Sequence, residues 1–114
     1  MVQPLSSSEL MQRAMSAATL RQKLLASNVA NADTPGYKRF DLALRQAIEA
    51  TPDRTLDQSV YRETGTSLRA DGNNVDIEQE MASVAENSLY FESLSSSLGK
   101  QMATLRYLIN EGRR

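Results

Sequence analysis

The side chains able to do chemistry in this chain are carboxylates, amides, hydroxyls and cations. Cysteine and histidine are both absent. Zinc sites built on thiolate or imidazole, disulfides, Ser-His and Cys-His catalysis and haem ligation by histidine are therefore excluded. The 14 Asp and Glu residues could in principle form acid–base pairs. Their spacing is that of a solvated helix face, and nothing sets two of them in a cleft that would shift a pKa. No catalytic residue, and hence no enzyme, is expected. The string Asp71-Gly72-Asn73-Asn74-Val75-Asp76 has the look of a calcium loop. It departs from that pattern because Val75 takes the fifth position, Asp76 replaces the glycine and Ala82 replaces the terminal glutamate. A turn leading into a helix cap is the simpler reading, and neither a metal nor a cofactor is expected.

The most specific string is Asn28-Val29-Ala30-Asn31-Ala32-Asp33-Thr34-Pro35-Gly36-Tyr37-Lys38. Asn28 and Asn31 stand three apart, so on a last helical turn both amides share a face. There they can satisfy free carbonyls of the helix end or bond to an adjacent chain. Thr34-Pro35-Gly36-Tyr37 reads as a type II turn, with Gly36 where φ must be positive. The reversal sends Tyr37 outward or onto a neighbour.

Two helices must position that string. The first opens at Ser6 with Glu9 three residues later, the S-x-x-E capping box. Met11, Met15, Ala18, Gln22, Leu25, Val29 and Ala32 follow in steps of four and three, widened by Leu10, Ala14, Ala17 and Leu24, which predicts an amphipathic helix ending near Asn31. The second helix has Asp76 as its N-cap. Ile77, Met81, Val84, Ser88, Phe91, Ser95, Leu98, Met102, Leu105 and Ile109 step by four and three throughout, a coiled-coil heptad. Acidic residues fill its first half and Lys100, Arg106, Arg113 and Arg114 its second, the order that the helix dipole favours. A lone Gly99 beside Ser95, Ser96 and Ser97 reads equally as a site of close helix approach and as plain poor propensity.

Between the helices the pattern changes. A short helical piece is predicted around Leu42 to Ala50. Residues 51–75, with Pro52, Gly65 and the turn at Asp71-Gly72-Asn73-Asn74, carry few apolar groups and are expected to be mobile in an isolated subunit. The fold class expected is all-α: long N- and C-terminal helices pairing as an antiparallel, coiled-coil-like hairpin around a partly disordered middle. The corresponding division is 1–33 for the N-terminal helix, 34–75 for the turn motif and flexible segment, and 76–114 for the heptad helix.

The chain has 114 residues and a net charge of −1, from 13 Lys and Arg against 14 Asp and Glu. That balance argues against nucleic acid, which selects a basic excess. Its apolar fraction of 40% leans on 13 Ala and 14 Leu, with two Phe and no Trp, a composition suited to narrow helix seams. No run approaches a membrane span, and the start has no secretory pattern, so the chain is expected either to remain in the cytoplasm or to leave without a cleaved signal. Two helices alone cover little of each other, so copies or partners are needed. This is a part that assembles.

ANADTPGYK closely resembles the ANxxTPGYK motif of the rod, hook and related axial proteins of bacterial flagella. RQKLLASNVANADTPGYKRFD at 21–41 and DGNNVDIEQEMASVAENSLYFESL at 71–94 are similar to the two signature regions of proximal rod subunits. Residues 42–70 are shorter than the usual middle segment of that group. The resemblance implies a non-enzymatic subunit of the flagellar basal-body rod, exported by the flagellar type III apparatus and polymerised in the periplasm. It implies as partners the chain itself, other rod proteins, the basal adaptor, the membrane ring and the export gate, with no nucleic acid and no small-molecule substrate. Through the motif, Asn28, Asn31, Thr34, Pro35, Gly36 and Tyr37 become assembly residues. Ile77, Met81, Val84, Phe91, Leu98, Met102 and Leu105 would hold the helices together. The alternatives are another axial subunit of the same group, or a cytoplasmic coiled-coil adaptor or export chaperone, which would have little need for the whole motif.

Overall fold

Capping and breaking residues set the ends of two long helices. The computed structural model describes residues 4–49, 55–65 and 69–113. Helix α1 spans Ser7–Ala30. Its first turn is closed by the capping box: the Glu9 amide donates to Ser6 Oγ at 3.2 Å, and the Ser6 amide donates to the Glu9 carboxylate at 2.7 Å. The backbone bond from Ser6 holds the Glu9 carboxyl below its ordinary pKa. Helix α1 stops at Asn31, whose N–H bonds back to the Ser27 carbonyl. The second long helix spans Ile77–Glu111; with the short helix below it is α3. Asp76 caps it, its carboxylate accepting from the amides of Glu78 and Gln79.

The middle of the chain is more ordered than its composition suggests. Strand β1, Phe40–Leu42, is followed by helix α2, Leu44–Glu49, then a 3₁₀ turn at Leu56–Ser59 and strand β2, Val60–Arg62. The strands pair antiparallel, Phe40 opposite Arg62, Asp41 opposite Tyr61 and Leu42 opposite Val60. The Glu63 amide bonds to the Arg39 carbonyl and the Ala43 amide to the Ser59 carbonyl, which extends the pairing at both ends. Helix α2 meets the expected helical piece. The two-stranded sheet was not foreseen, because three-residue strands are too short to show a period of two. Within the stretch expected to be mobile, the described part is held by this backbone pairing and by Leu56 and Val60 packing on Ala17, Leu42 and Ala47. Residues 51–54 and 66–68 of that stretch lie outside the described residues.

Helix α1 is the shared wall. Ala14, Ala17, Ala18, Leu25 and Asn28 are buried along it, and the alanines let neighbours approach closely. One side meets β1 and α2, where Arg13 Nε bonds to the Ala47 carbonyl at 2.6 Å. The other side meets α3. Contacts step down α1 as they step up α3: Asn28 with Glu80, then Ala18 and Gln22 with Asn87, then Ser7 with Gln101. The molecule is elongated, 70 × 33 × 14 Å.

Candidate assembly site

At the end of α1 the backbone must reverse, leave carbonyls unpaired and still bury them, and a group of amides solves that problem. Asn31 donates to the Ser27 carbonyl at 2.9 Å and accepts from the Thr34 hydroxyl at 3.1 Å. Asn73, fully buried, donates to the carbonyls of Asn31, Ala32 and Thr34 at 2.9–3.0 Å, while its own oxygen accepts from the Val75 amide. Arg69 adds a bond to the Ala32 carbonyl. The Tyr37 amide bonds to the Thr34 carbonyl and Gly36 has φ +73°, as the type II turn requires. The Gly36 amide reaches the Asp71 carbonyl at 2.8 Å, so this turn is stitched to a second one, at Arg69–Gly72, where Gly72 has φ +83°.

Asn28 does something different from Asn31. It is fully buried and makes four bonds. Its amide donates to the Phe40 carbonyl at 2.7 Å and to Glu80 at 3.2 Å. Its oxygen accepts from the Phe40 amide at 2.9 Å and the Tyr37 hydroxyl at 3.0 Å. The side chain thus treats Phe40 as a strand neighbour would, on the edge of β1 that β2 does not use. Asn74 instead bridges the two sides of the ladder, accepting from the Arg39 amide at 2.8 Å and donating to the Glu63 carbonyl at 2.6 Å.

Charge is buried in the same place. Arg39 donates to Glu80, to Glu63 at 2.9 Å and to Asp41 at 3.1 Å. Asp41 also accepts from Arg21 at 2.9 Å and from the Leu42 amide at 2.7 Å. Glu80 is 1% exposed. Burial alone would pull the Arg39 pKa down; the carboxylates, Glu80 foremost, overcome it and raise it. Burial alone would push the Asp41 carboxyl up; Arg21, the Leu42 amide and Arg39 outweigh that and hold it below the usual carboxylate value. Paired and hydrogen-bonded like this, the charges tie α1, β1 and α3 together.

The structure therefore brings Asn28, Asn31, Thr34, Gly36 and Tyr37 together around one reversal, with Pro35 exposed at its tip. Tyr37 turns back onto its own chain instead of outward: its hydroxyl meets Asn28, its ring meets Phe40 edge-on at 6.4 Å, and the Arg62 guanidinium lies over both rings. The face of α3 toward α1 is offset from the heptad stripe. It carries buried Glu80 and Asn87 with half-buried Val84, Phe91 and Leu98, whereas Ile77, Met81, Met102 and Leu105 stay 52%, 54%, 48% and 51% exposed. Asn87 donates to the Ala18 carbonyl and to Gln22, both at 2.8 Å, and its buried oxygen has no partner among the described residues.

Arg39, Asp41, Glu80, Asn73, Asn74 and Asn87 escaped sequence reasoning. One signal was available: Glu80, Val84, Asn87, Phe91, Leu94 and Leu98 also step by four and three, with polar residues where a hydrophobicity count looks for apolar ones.

Residues 11–38, from α1 through the turn, match the family described as flagella basal body rod protein. Over most of its length the chain is similar to proteins named flagellar basal body rod protein FlgB. It is 30% identical to that of Escherichia coli, over 89% of this chain and 91% of the relative. It is 30% identical to that of Aeromonas hydrophila, over 82% and 85%, and 24% identical to that of Bacillus subtilis, over 90% and 92%. The E. coli and B. subtilis matches run over 125 and 119 positions, more than the 114 residues of the chain, so these relatives carry residues that it lacks. With identity at that level across nearly all of both sequences, this chain belongs to the FlgB family of flagellar basal body rod proteins.

Proposed function

We propose that the chain is a structural subunit of the proximal rod, polymerising through its two long helices to build part of the shaft that carries torque. The observation that carries this reading is the division of labour on α3. Its buried polar residues fix the subunit internally, and half-exposed Ile77, Met81, Met102 and Leu105 remain for a neighbour. Helices α1 and α3 act as an antiparallel, coiled-coil-like hairpin, whose many weak contacts share load. Residues 1–33 and 76–114 form the packed shaft, and 34–75 form the turn and an outward segment. Asn28, Asn31, Thr34, Pro35, Gly36 and Tyr37 serve assembly by holding the reversal between the helices in one shape, and Val84, Phe91 and Leu98 hold α3 to α1. The subunit reaches the periplasm through the flagellar type III apparatus. It meets further copies of itself, other rod proteins, the membrane ring, the export gate and the basal adaptor.

The test is deletion of the gene in its host, scored by swimming and by electron microscopy of purified basal bodies. Rings without rod or hook, restored by the wild-type chain, support the reading. Swimming cells with complete rods overturn it and favour a cytoplasmic adaptor.

A further inference from the structure

Helix α3 outruns α1. Ser7, at the start of α1, bonds to Gln101, and α3 continues to Glu111. Met102, Leu105, Leu108 and Ile109 in that overhang are about half exposed, beside a shallow groove of about 490 Å³ lined in part by Ser8, Met102, Leu105 and Leu108. At about 100° per residue, Met102, Leu105 and Ile109 prolong the face that Val84, Phe91 and Leu98 turn toward α1, and exposed Arg106 and Arg113 flank it. A second apolar patch lies at the opposite end of the same helix. There Ile77 and Met81 are exposed, with exposed Glu78 beside them and exposed Glu92 further along the same face of the helix. Glu111 apart, the exposed charge of α3 is acidic in its first half and basic in its second.

We infer that these patches are the two halves of one interface between copies of this chain, the overhang of one copy packing on the acidic patch of the next. The inference rests on the reading of the chain as a self-assembling rod subunit and names the surfaces that reading leaves open. Each patch offers what the other lacks: apolar side chains rimmed by cations on one, by carboxylates on the other. Exposed charges of this kind contribute little to affinity and much to register and partner choice. Because the patches differ, the contact is heterologous, and because they lie at opposite ends of α3 it carries an axial offset, so it extends instead of closing. From Met81 to Leu105, at ~1.5 Å per residue, successive copies would be offset by about 36 Å along the helix axis.

The absence of cysteine makes the test direct. A Met81→Cys chain mixed with a Leu105→Cys chain should form disulfide-linked pairs on mild oxidation, and a chain carrying both substitutions should form a ladder of higher oligomers. Thr64→Cys, at an exposed site, is the control. Within the doubly substituted chain, Glu78→Lys with Glu92→Lys, or Arg106→Glu with Arg113→Glu, should each reduce the ladder by at least about tenfold through like-charge contact. Mixing the two charge variants should restore it. Helical circular dichroism checks that each variant folds. Cross-linking no greater than the control, a ladder insensitive to both reversals, or a discrete dimer that never extends would overturn the inference. The outcome for the rod reading is separate. If the wild-type chain restores swimming but the doubly substituted chain forms no ladder, the interface alone is removed, whereas wild-type chain failing to restore swimming removes the rod reading itself.

Discussion

Asn28 and Glu80, 52 residues apart in the chain, meet at 3.2 Å inside the protein. The contact joins the end of α1 to the start of α3, and Arg39, the residue before β1, completes it. Three segments that share no local signal are thereby held at one point.

Asn28→Ala should remove all four bonds at once. It strands the Phe40 amide and carbonyl, the Tyr37 hydroxyl and one face of Glu80. The expected loss is about 3 kcal/mol, since buried groups left unsatisfied cost roughly 1–3 kcal/mol each and some will find partial solvation. Urea unfolding of the wild-type and variant chains, followed by circular dichroism, measures it. A loss below about 0.5 kcal/mol would mean that the amide is replaceable.

Arg39→Met alone should destabilise by about 3–5 kcal/mol, because it leaves Glu80 charged and buried without its cation. Adding Glu80→Leu should recover most of that loss, since exchanging both partners for apolar groups is often neutral. The same urea titration on both single variants and the double variant gives the coupling energy. Losses that simply add would show that the pair is not one energetic unit.

Asp41 gives the protein an acid-sensitive point. Its carboxyl is held below the usual value, so the unfolded chain binds its proton more readily than the folded one. The stability this supplies is complete above the unfolded pKa of about 3.9 and is lost as pH falls through the depressed folded value. Melting temperature should therefore drop as pH falls from about 5 to 3, and less steeply in Asp41→Asn. Thermal melts at half-unit intervals check this, and parallel slopes for the two chains would exclude Asp41 as the cause.

Gly36→Ala places a side chain at φ +73°, where the strain costs about 1–2 kcal/mol although nothing crowds the added methyl. Gly36→Asn should cost less, because asparagine tolerates this region. Pro35→Ala combined with Gly36→Ala should block incorporation into rods, scored by swimming of a deletion strain. Normal swimming would separate the turn from assembly.

Local chemistry made part of this protein readable from its residues. The capping box at Ser6, the Asp76 cap, the stop at Asn31, the type II turn and the glycine turn at Asp71–Gly72 depend on groups within a few positions of each other, so residue type and spacing determine them. The absence of histidine and cysteine limits the available chemistry in the same direct way. Tertiary structure decided the rest. A heptad count assigns faces by hydrophobicity, and it could not tell that Glu80 and Asn87 turn inward while Ile77 and Met81 stay exposed. That choice depends on whether a buried carboxylate finds Arg39 and Asn28, partners supplied by distant segments. Asn28 and Asn31 look alike in the sequence, one turn apart on one helix. One caps its own helix and the other binds a strand, because only the fold brings Phe40 to one of them. The small sheet follows the same logic: its two strands are too short to declare themselves, and the asparagines that bond to Phe40, Arg39 and Glu63 come from distant parts of the chain.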